Sequence, residues 1–166
     1  IIKDSNLVKN KFSNFLDSYI LNILSNKKSN PSISIQNSII ISVTNKELRD
    51  KLACVNAKIA GWKDMDPFYN APVILIVLAD KNWFTSVYDG SLVIGNMMLA
   101  ADSMGLASCW IHRAKEEFET EEGKELLKSL GIDGEYEGIG HCILGYREGD
   151  LPTASPRKEN YIYYVD

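Results

Sequence analysis

The chain has 166 residues, 45% hydrophobic and 24% charged, with a formal net charge of −4. That length suits one domain of roughly 100–200 residues, and the apolar share excludes a wholly disordered chain. The negative balance offers no net basic field for a phosphate backbone, so no nucleic acid is expected as a partner.

No apolar run approaches the ~20 residues of a membrane span, so no membrane partner is expected. The opening Ile1-Ile2-Lys3-Asp4 lacks the apolar core of a signal peptide. Three widely spaced cysteines, Cys54, Cys109 and Cys142, give no disulfide framework and suggest a reducing, cytoplasmic setting.

Residues 1–38 are rich in Asn, Ser and Lys and hold no glycine, the first being Gly61. Within them Phe12, Phe15, Leu16, Tyr19, Ile20, Ile23 and Leu24 recur at helical spacing, which predicts a helix over about 11–25. Asn30-Pro31-Ser32 breaks it. The β-branched run Ile39–Thr44 predicts a strand. Asn45 then caps a helix from Lys46 to about Lys58, with Leu48, Leu52 and Val55 as its buried stripe and Gly61 as its stop.

After a loop at Pro67–Asn70, the seven-residue apolar run Val73–Ala79 predicts a strand covered on both faces. A helix is expected over Ser91–Met104, stopped by Gly105 at the C′ position. It is apolar nearly all round, so it should be buried within the molecule or at a subunit interface. Leu106–Ile111 should be extended, and Glu116 to about Leu130 should form one charged surface helix closed by Gly131. Gly140–Gly145 is a last strand, and the apolar tail Tyr161–Val165 should pair with something. This alternation indicates an α+β or α/β class in a single domain over 1–166.

Four groups of residues could carry chemistry. Cys109, His112, His141 and Cys142 supply the ligand types of a structural zinc. Their spacing is atypical, however, and on strands the paired members point to opposite faces, so inert buried cysteines are the plainer reading. Gly138-Ile139-Gly140 has no third glycine and leads into a strand, which disfavours a nucleotide cradle. Arg157-Lys158, in a proline-bounded loop, suits a phosphate as well as it suits solvent. His112-Arg113 follows a strand end, where ligand-contacting groups collect. Gln36-Asn37 offers carboxamides that suit a heterocycle edge or a simple turn.

A combined set of segments resembles the nitroreductase family of flavoproteins. It comprises Phe68–Val77, Tyr88–Ser91, Gly95–Ala101, Met104–Ile111, Leu144-Gly145-Tyr146 and Pro156-Arg157-Lys158, with Thr44–Leu52 as the helix after the first core strand. The resemblance implies an α+β fold with a central mixed, mainly antiparallel sheet flanked by helices, in an intertwined homodimer. It further implies FMN at the interface, reduction by NAD(P)H, and ping-pong electron transfer to a nitroaromatic, quinone or similar small-molecule acceptor. Carried over by position, Arg157 and Lys158 would bind the FMN phosphate. Trp110, Ile111, His112 and Arg113 would lie along the flavin ring, and Gln36, or Asn37 one residue later, would contact it. No acid–base side chain is required, because the flavin carries the chemistry. The family's Arg-rich opening has no counterpart, since Arg49 is the first arginine. Residues 1–35 are therefore expected to be a divergent or truncated N-terminal segment, and a non-catalytic flavin-binding homologue is the alternative.

Overall fold

The computed structural model describes residues 37–150 and 153–165. The helix expected at 11–25, its break at Asn30–Ser32, and Gln36 lie outside the described residues. The elements are β1 (Ser38–Val43), α1 (Lys46–Ala60), β2 (Val73–Asp80), α2 (Ser86–Ser103), β3 (Ala107–Ile111), α3 (Ala114–Glu119), α4 (Glu121–Ser129) and β4 (Tyr136–Gly145). Among the described residues the strands form one sheet in the order β1-β2-β4-β3, every neighbouring pair antiparallel.

β2 explains the layering. Its odd residues Val73, Leu75, Val77 and Ala79 pack with Ile94, Met97 and Ala101 of α2, and its even residues Ile74, Ile76 and Leu78 pack with Leu52, Ala53 and Phe118 on the other face. Period-2 alternation in a continuously apolar strand thus serves two cores, one per face. Among the described residues α2 is the one helix on the first face, and α1, α3 and α4 share the other.

β4 carries a register shift opposite Val77/Leu78, where Val77 pairs with Gly140 and Leu78 with Gly138. The extra residue, Ile139, turns into the α2 core, and beyond it His141 and Ile143 face the α1–α3 side. The bulge therefore decides which face receives His141.

Helix caps follow their chemistry. The Asn45 side chain accepts from Leu48 N at 2.9 Å, and Gly61 closes α1 at φ 73°. Gly105 sits at φ 71° after α2, as the C′ expectation required.

Three expectations change. α2 starts at Ser86 rather than Ser91, because Gly90 is a helical residue packed on the sheet and not a turn: a Cβ there would lie 2.6 Å from Ile139 Cγ1. α2 is also not buried all round within the chain, since Tyr88, Leu92 and Leu99 are 72%, 67% and 72% exposed. The single helix expected over Glu116–Leu130 is two. Thr120 is extended and caps α4 by accepting from Gly123 N at 3.1 Å, while its hydroxyl donates to Glu117 O at 2.6 Å. The tail Tyr161–Val165 is exposed and forms no strand among the described residues.

Candidate active site

β3 ends at Ile111, and after two intervening residues α3 begins at Ala114. So tight a strand-to-helix turn needs room and a special backbone. The room comes from Gly138 of β4, where a Cβ would lie 2.2 Å from Ala114 O. The backbone solution is Arg113 at φ 78°, a left-handed conformation that costs a non-glycine residue about 1 kcal/mol or more. Something must hold it there.

Three buried side chains, Asn56, Glu117 and His141, do so together with the exposed Trp62. Arg113 Nε donates to Asn56 Oδ1 at 2.9 Å, and its guanidinium carbon sits 4.7 Å from the centre of the Trp62 ring. Asn56, fully buried in α1, uses both hydrogens of its amide nitrogen: one reaches His112 O at 2.9 Å and the other Glu117 Oε1. Glu117 Oε2 meets His141 Nε2 at 3.0 Å. His141 Nδ1 in turn lies 3.2 Å from Ile111 O, which, being a carbonyl, accepts. The carbonyls of Ile111 and His112 are thus each held from behind by a side chain. The His112 and Arg113 amides find no acceptor among the described residues.

A second polar cluster stands beside the first. Arg49, buried in α1, donates to Ala71 O at 3.2 Å and pairs with Asp66 and with Asp50. The Asp66 carboxylate also accepts from Phe68 N and Asn70 N, at 2.9 and 2.7 Å, folding the Pro67–Asn70 loop. Phe68 joins the clusters, with Arg49 5.8 Å from its ring centre and the His141 ring 5.1 Å away on a 55° tilt.

The structure brings Trp110, Ile111, His112 and Arg113 together as one edge-strand-to-helix segment. Trp110 is 37% exposed, its indole lying over Gly140, where a Cβ would come within 2.5 Å of Nε1. Ile111 is buried, His112 exposed and Arg113 half-buried with its guanidinium turned to Asn56 and Trp62. Asn37 is buried and committed: its Nδ2 donates to Asp89 at 2.8 Å, its Oδ1 accepts from Ser38, and its carbonyl accepts from Asp80 N. Arg157 and Lys158 are exposed along with the whole of 153–165, and the Lys158 ammonium lies 5.9 Å from the Tyr161 ring centre.

The zinc constellation does not assemble. Both ring nitrogens of His141 are engaged with Ile111 O and Glu117, while Cys142 lies in the core on the opposite face. Among the described residues no three acidic, cysteine or histidine side chains converge as a metal site. Burial, with a smaller push from Cys109, raises the Cys142 thiol to about 12.

Sequence reasoning missed Asn56 and Glu117 and left His141 without a role. The signal was polarity on an apolar face: Asn56 follows Leu52 by one helical turn and Arg49 by two, and His141 interrupts an apolar strand.

A family model described as the nitroreductase family matches residues 24–146, more than half of the chain. A nitroreductase with bound FMN from Bacteroides fragilis is similar at 26% identity and TM-score 0.69, the match covering 81% of this chain and 79% of that one. A nitroreductase with bound FMN from Desulfitobacterium hafniense is similar at 26% identity and TM-score 0.66, covering 79% and 77%. An iodotyrosine deiodinase bound to FMN and 3-iodo-L-tyrosine shares the fold at 19% identity and TM-score 0.58, covering 81% and 79%. No curated protein matches the sequence. With its antiparallel sheet, its helices on both faces and this match over most of its length, the chain belongs to the nitroreductase family.

Proposed function

We propose that the protein is an FMN-dependent oxidoreductase that takes electrons from NAD(P)H and passes them to a nitroaromatic, quinone or similar acceptor, the two substrates taking turns at one site. Family membership and the likeness to FMN-bound nitroreductases support the cofactor. The observation that carries the reading is the Trp110–Arg113 segment, whose Ile111 and His112 carbonyls are bound from behind and whose His112 and Arg113 amides have no described acceptor. Fixed amides of this kind fit the edge of a flat ring bearing nitrogen and carbonyl acceptors. The residues present therefore fit FMN.

Bound there, FMN supplies the electron transfer itself. The chain's residues position it. Trp110, Ile111, His112 and Arg113 line the ring, Ile111 and Arg113 through their main chain because the one side chain is in the core and the other's guanidinium is occupied. Gln36 serves the ring edge in preference to Asn37, whose carboxamide is committed to Asp89 and Ser38. Arg157 and Lys158 hold the phosphate, the guanidinium as a two-pronged donor and the ammonium as a point charge.

The reading includes a cytoplasmic homodimer of one domain per chain, residues 1–35 being its divergent N-terminal segment. Tyr88, Leu92 and Leu99 form an apolar stripe on the outer face of α2, and the tail Tyr161–Val165 is equally uncovered. A second copy is the partner that would bury both.

The test is an absorbance spectrum of the purified protein from the near-ultraviolet to the blue, followed by NADPH oxidation in the presence of a nitroaromatic. Flavin absorbance with turnover is expected; a colourless protein that takes up no FMN overturns the reading. A second reading is a flavin-binding module without catalysis. Protein that binds FMN yet leaves NADH and NADPH unoxidised would establish it.

A further inference from the structure

We propose that Asn56, Glu117 and His141 are positioning residues for the flavin: by holding two carbonyls of the β3–α3 turn inward they aim two main-chain amides outward at the ring, and so set the affinity and reduction potential of bound FMN. The inference rests on the FMN reading above and assigns work to three side chains that reading leaves idle.

The argument starts from peptide geometry. A peptide unit is planar and trans, so the C=O of one residue and the N–H of the next point in opposite directions. His141 holds Ile111 O, which fixes the His112 N–H on the far side. Asn56 holds His112 O, which fixes the Arg113 N–H on the far side. These are the two amides that lack an acceptor among the described residues.

Each anchor is itself anchored. Glu117 accepts from Asn56 through one carboxylate oxygen and meets His141 through the other, so a single side chain orients both. Arg113 donates to Asn56 Oδ1, which leaves the amide nitrogen as the end that faces His112 O and Glu117. The same bond secures the left-handed backbone of Arg113 on which the turn depends. Asn56, Glu117 and His141 are all at most 1% exposed, so none of the three touches a ligand directly.

Amides pointed at a ring that gains negative charge on reduction favour the reduced form, and do so in proportion to how firmly they are aimed. A loosened turn should therefore weaken reduced FMN more than oxidised FMN.

The experiment compares wild type, Asn56→Ala, Asn56→Asp and Glu117→Gln as full chains. It reads the dissociation constant of oxidised FMN by fluorescence, the midpoint potential of the bound flavin, and urea unfolding of the flavin-free protein. Asn56→Asp keeps the acceptor for Arg113 and the side-chain volume but loses the donors, so it stands in if the alanine variant does not fold. Removing the His112 O contact should favour oxidised over reduced FMN by about tenfold, a fall of about 30 mV for a two-electron couple. Glu117→Gln can still accept from Asn56 and donate to His141 Nε2, and should retain most of the wild-type potential. Wild-type potential and affinity in both Asn56 variants, with only the urea midpoint lowered, would overturn the positioning role and leave the FMN reading intact. A wild-type chain that takes up no FMN would instead bring down the FMN reading and this inference with it.

Discussion

His141 Nε2 and Glu117 Oε2 lie 3.0 Å apart, the two side chains 0% and 1% exposed. Nδ1 of the same ring is engaged with Ile111 O, so Nε2 is the ring atom that meets the carboxyl group. Asn56 satisfies the second carboxylate oxygen. That arrangement answers the desolvation of two ionisable groups, at the cost of making each dependent on the other.

Removing either partner should therefore be expensive. Glu117→Ala or His141→Ala is expected to lose about 3–5 kcal/mol of unfolding free energy, since each leaves a buried polar group unpaired. The double variant should lose clearly less than the sum, because the second change removes the group that the first orphaned. Urea unfolding of the four proteins in a double-mutant cycle measures this; strict additivity would mean that the two side chains do not depend on one another.

Gly138 and Gly90 should respond differently to the same added methyl. At Gly138 the Cβ would meet the main chain of Ala114, with Ala114 O at 2.2 Å and its carbonyl carbon at 2.3 Å. Backbone can yield only by displacing the start of α3, so Gly138→Ala should cost about 2–3 kcal/mol. At Gly90 the obstacle is the Ile139 side chain, with Cγ1 at 2.6 Å, and alanine also favours the helix. Gly90→Ala should cost less, and the order of the two urea midpoints decides.

Local chemistry was readable wherever it agreed with the tertiary structure. Asn45 and Gly61 bracket α1, and the apolar run at Val73–Ala79 fills two cores, as its pattern requires. The misreadings share a cause. Gly90, in Tyr88-Asp89-Gly90-Ser91, has the look of a turn, yet its lack of a side chain serves the distant Ile139. Thr120 followed by Glu121-Glu122 is an N-cap signature masked by a charged run that continues on both sides. Asn56, Glu117 and His141 come from three elements, Asn56 and Glu117 separated by 61 residues in sequence and Glu117 and His141 by 24, so no local pattern joins them. The turn beside them is legible as His112-Arg113 at a strand end and through the resemblance, whereas its bracing emerges only in three dimensions.

Asp89 gives the protein an acid-sensitive tie. Hydrogen bonds from Thr85 and then Asn37 hold its carboxyl below the ordinary 3.8, against an opposing push from burial. A folded value lower than the unfolded one means stability that is present above 3.8 and lost as pH falls through the folded value. The stability difference between wild type and Asp89→Asn should be flat above about pH 5 and shrink below it. Urea midpoints across that range test the slope; a difference independent of pH would remove the charge from the explanation.

The cysteines should alkylate in a fixed order. Cys54 and Cys109 are exposed, whereas Cys142 is buried and its thiol is pushed up to about 12. Burial also pushes the Cys109 thiol up, so it holds less of the reactive thiolate than an open cysteine would. With iodoacetamide near neutral pH, peptide mass spectrometry should find Cys54 modified first, Cys109 more slowly, and Cys142 only after unfolding. Early labelling of Cys142 would contradict its place in the core beneath α2.

Arg157 offers the most direct probe of the proposed phosphate site. It is exposed and remote in sequence from the buried network, so its replacement should leave folding alone. Loss of a charge-assisted bond to phosphate should weaken FMN binding in Arg157→Ala by about 1.5–3 kcal/mol. Arg157→Lys should recover only part of that, because an ammonium lacks the paired donors of a guanidinium. Riboflavin, which has the ring without the phosphate, supplies the control: its affinity should be the same in wild type and Arg157→Ala. An equal loss for FMN and riboflavin would assign Arg157 to the ring or to the fold, and an unchanged FMN affinity would take it out of the site.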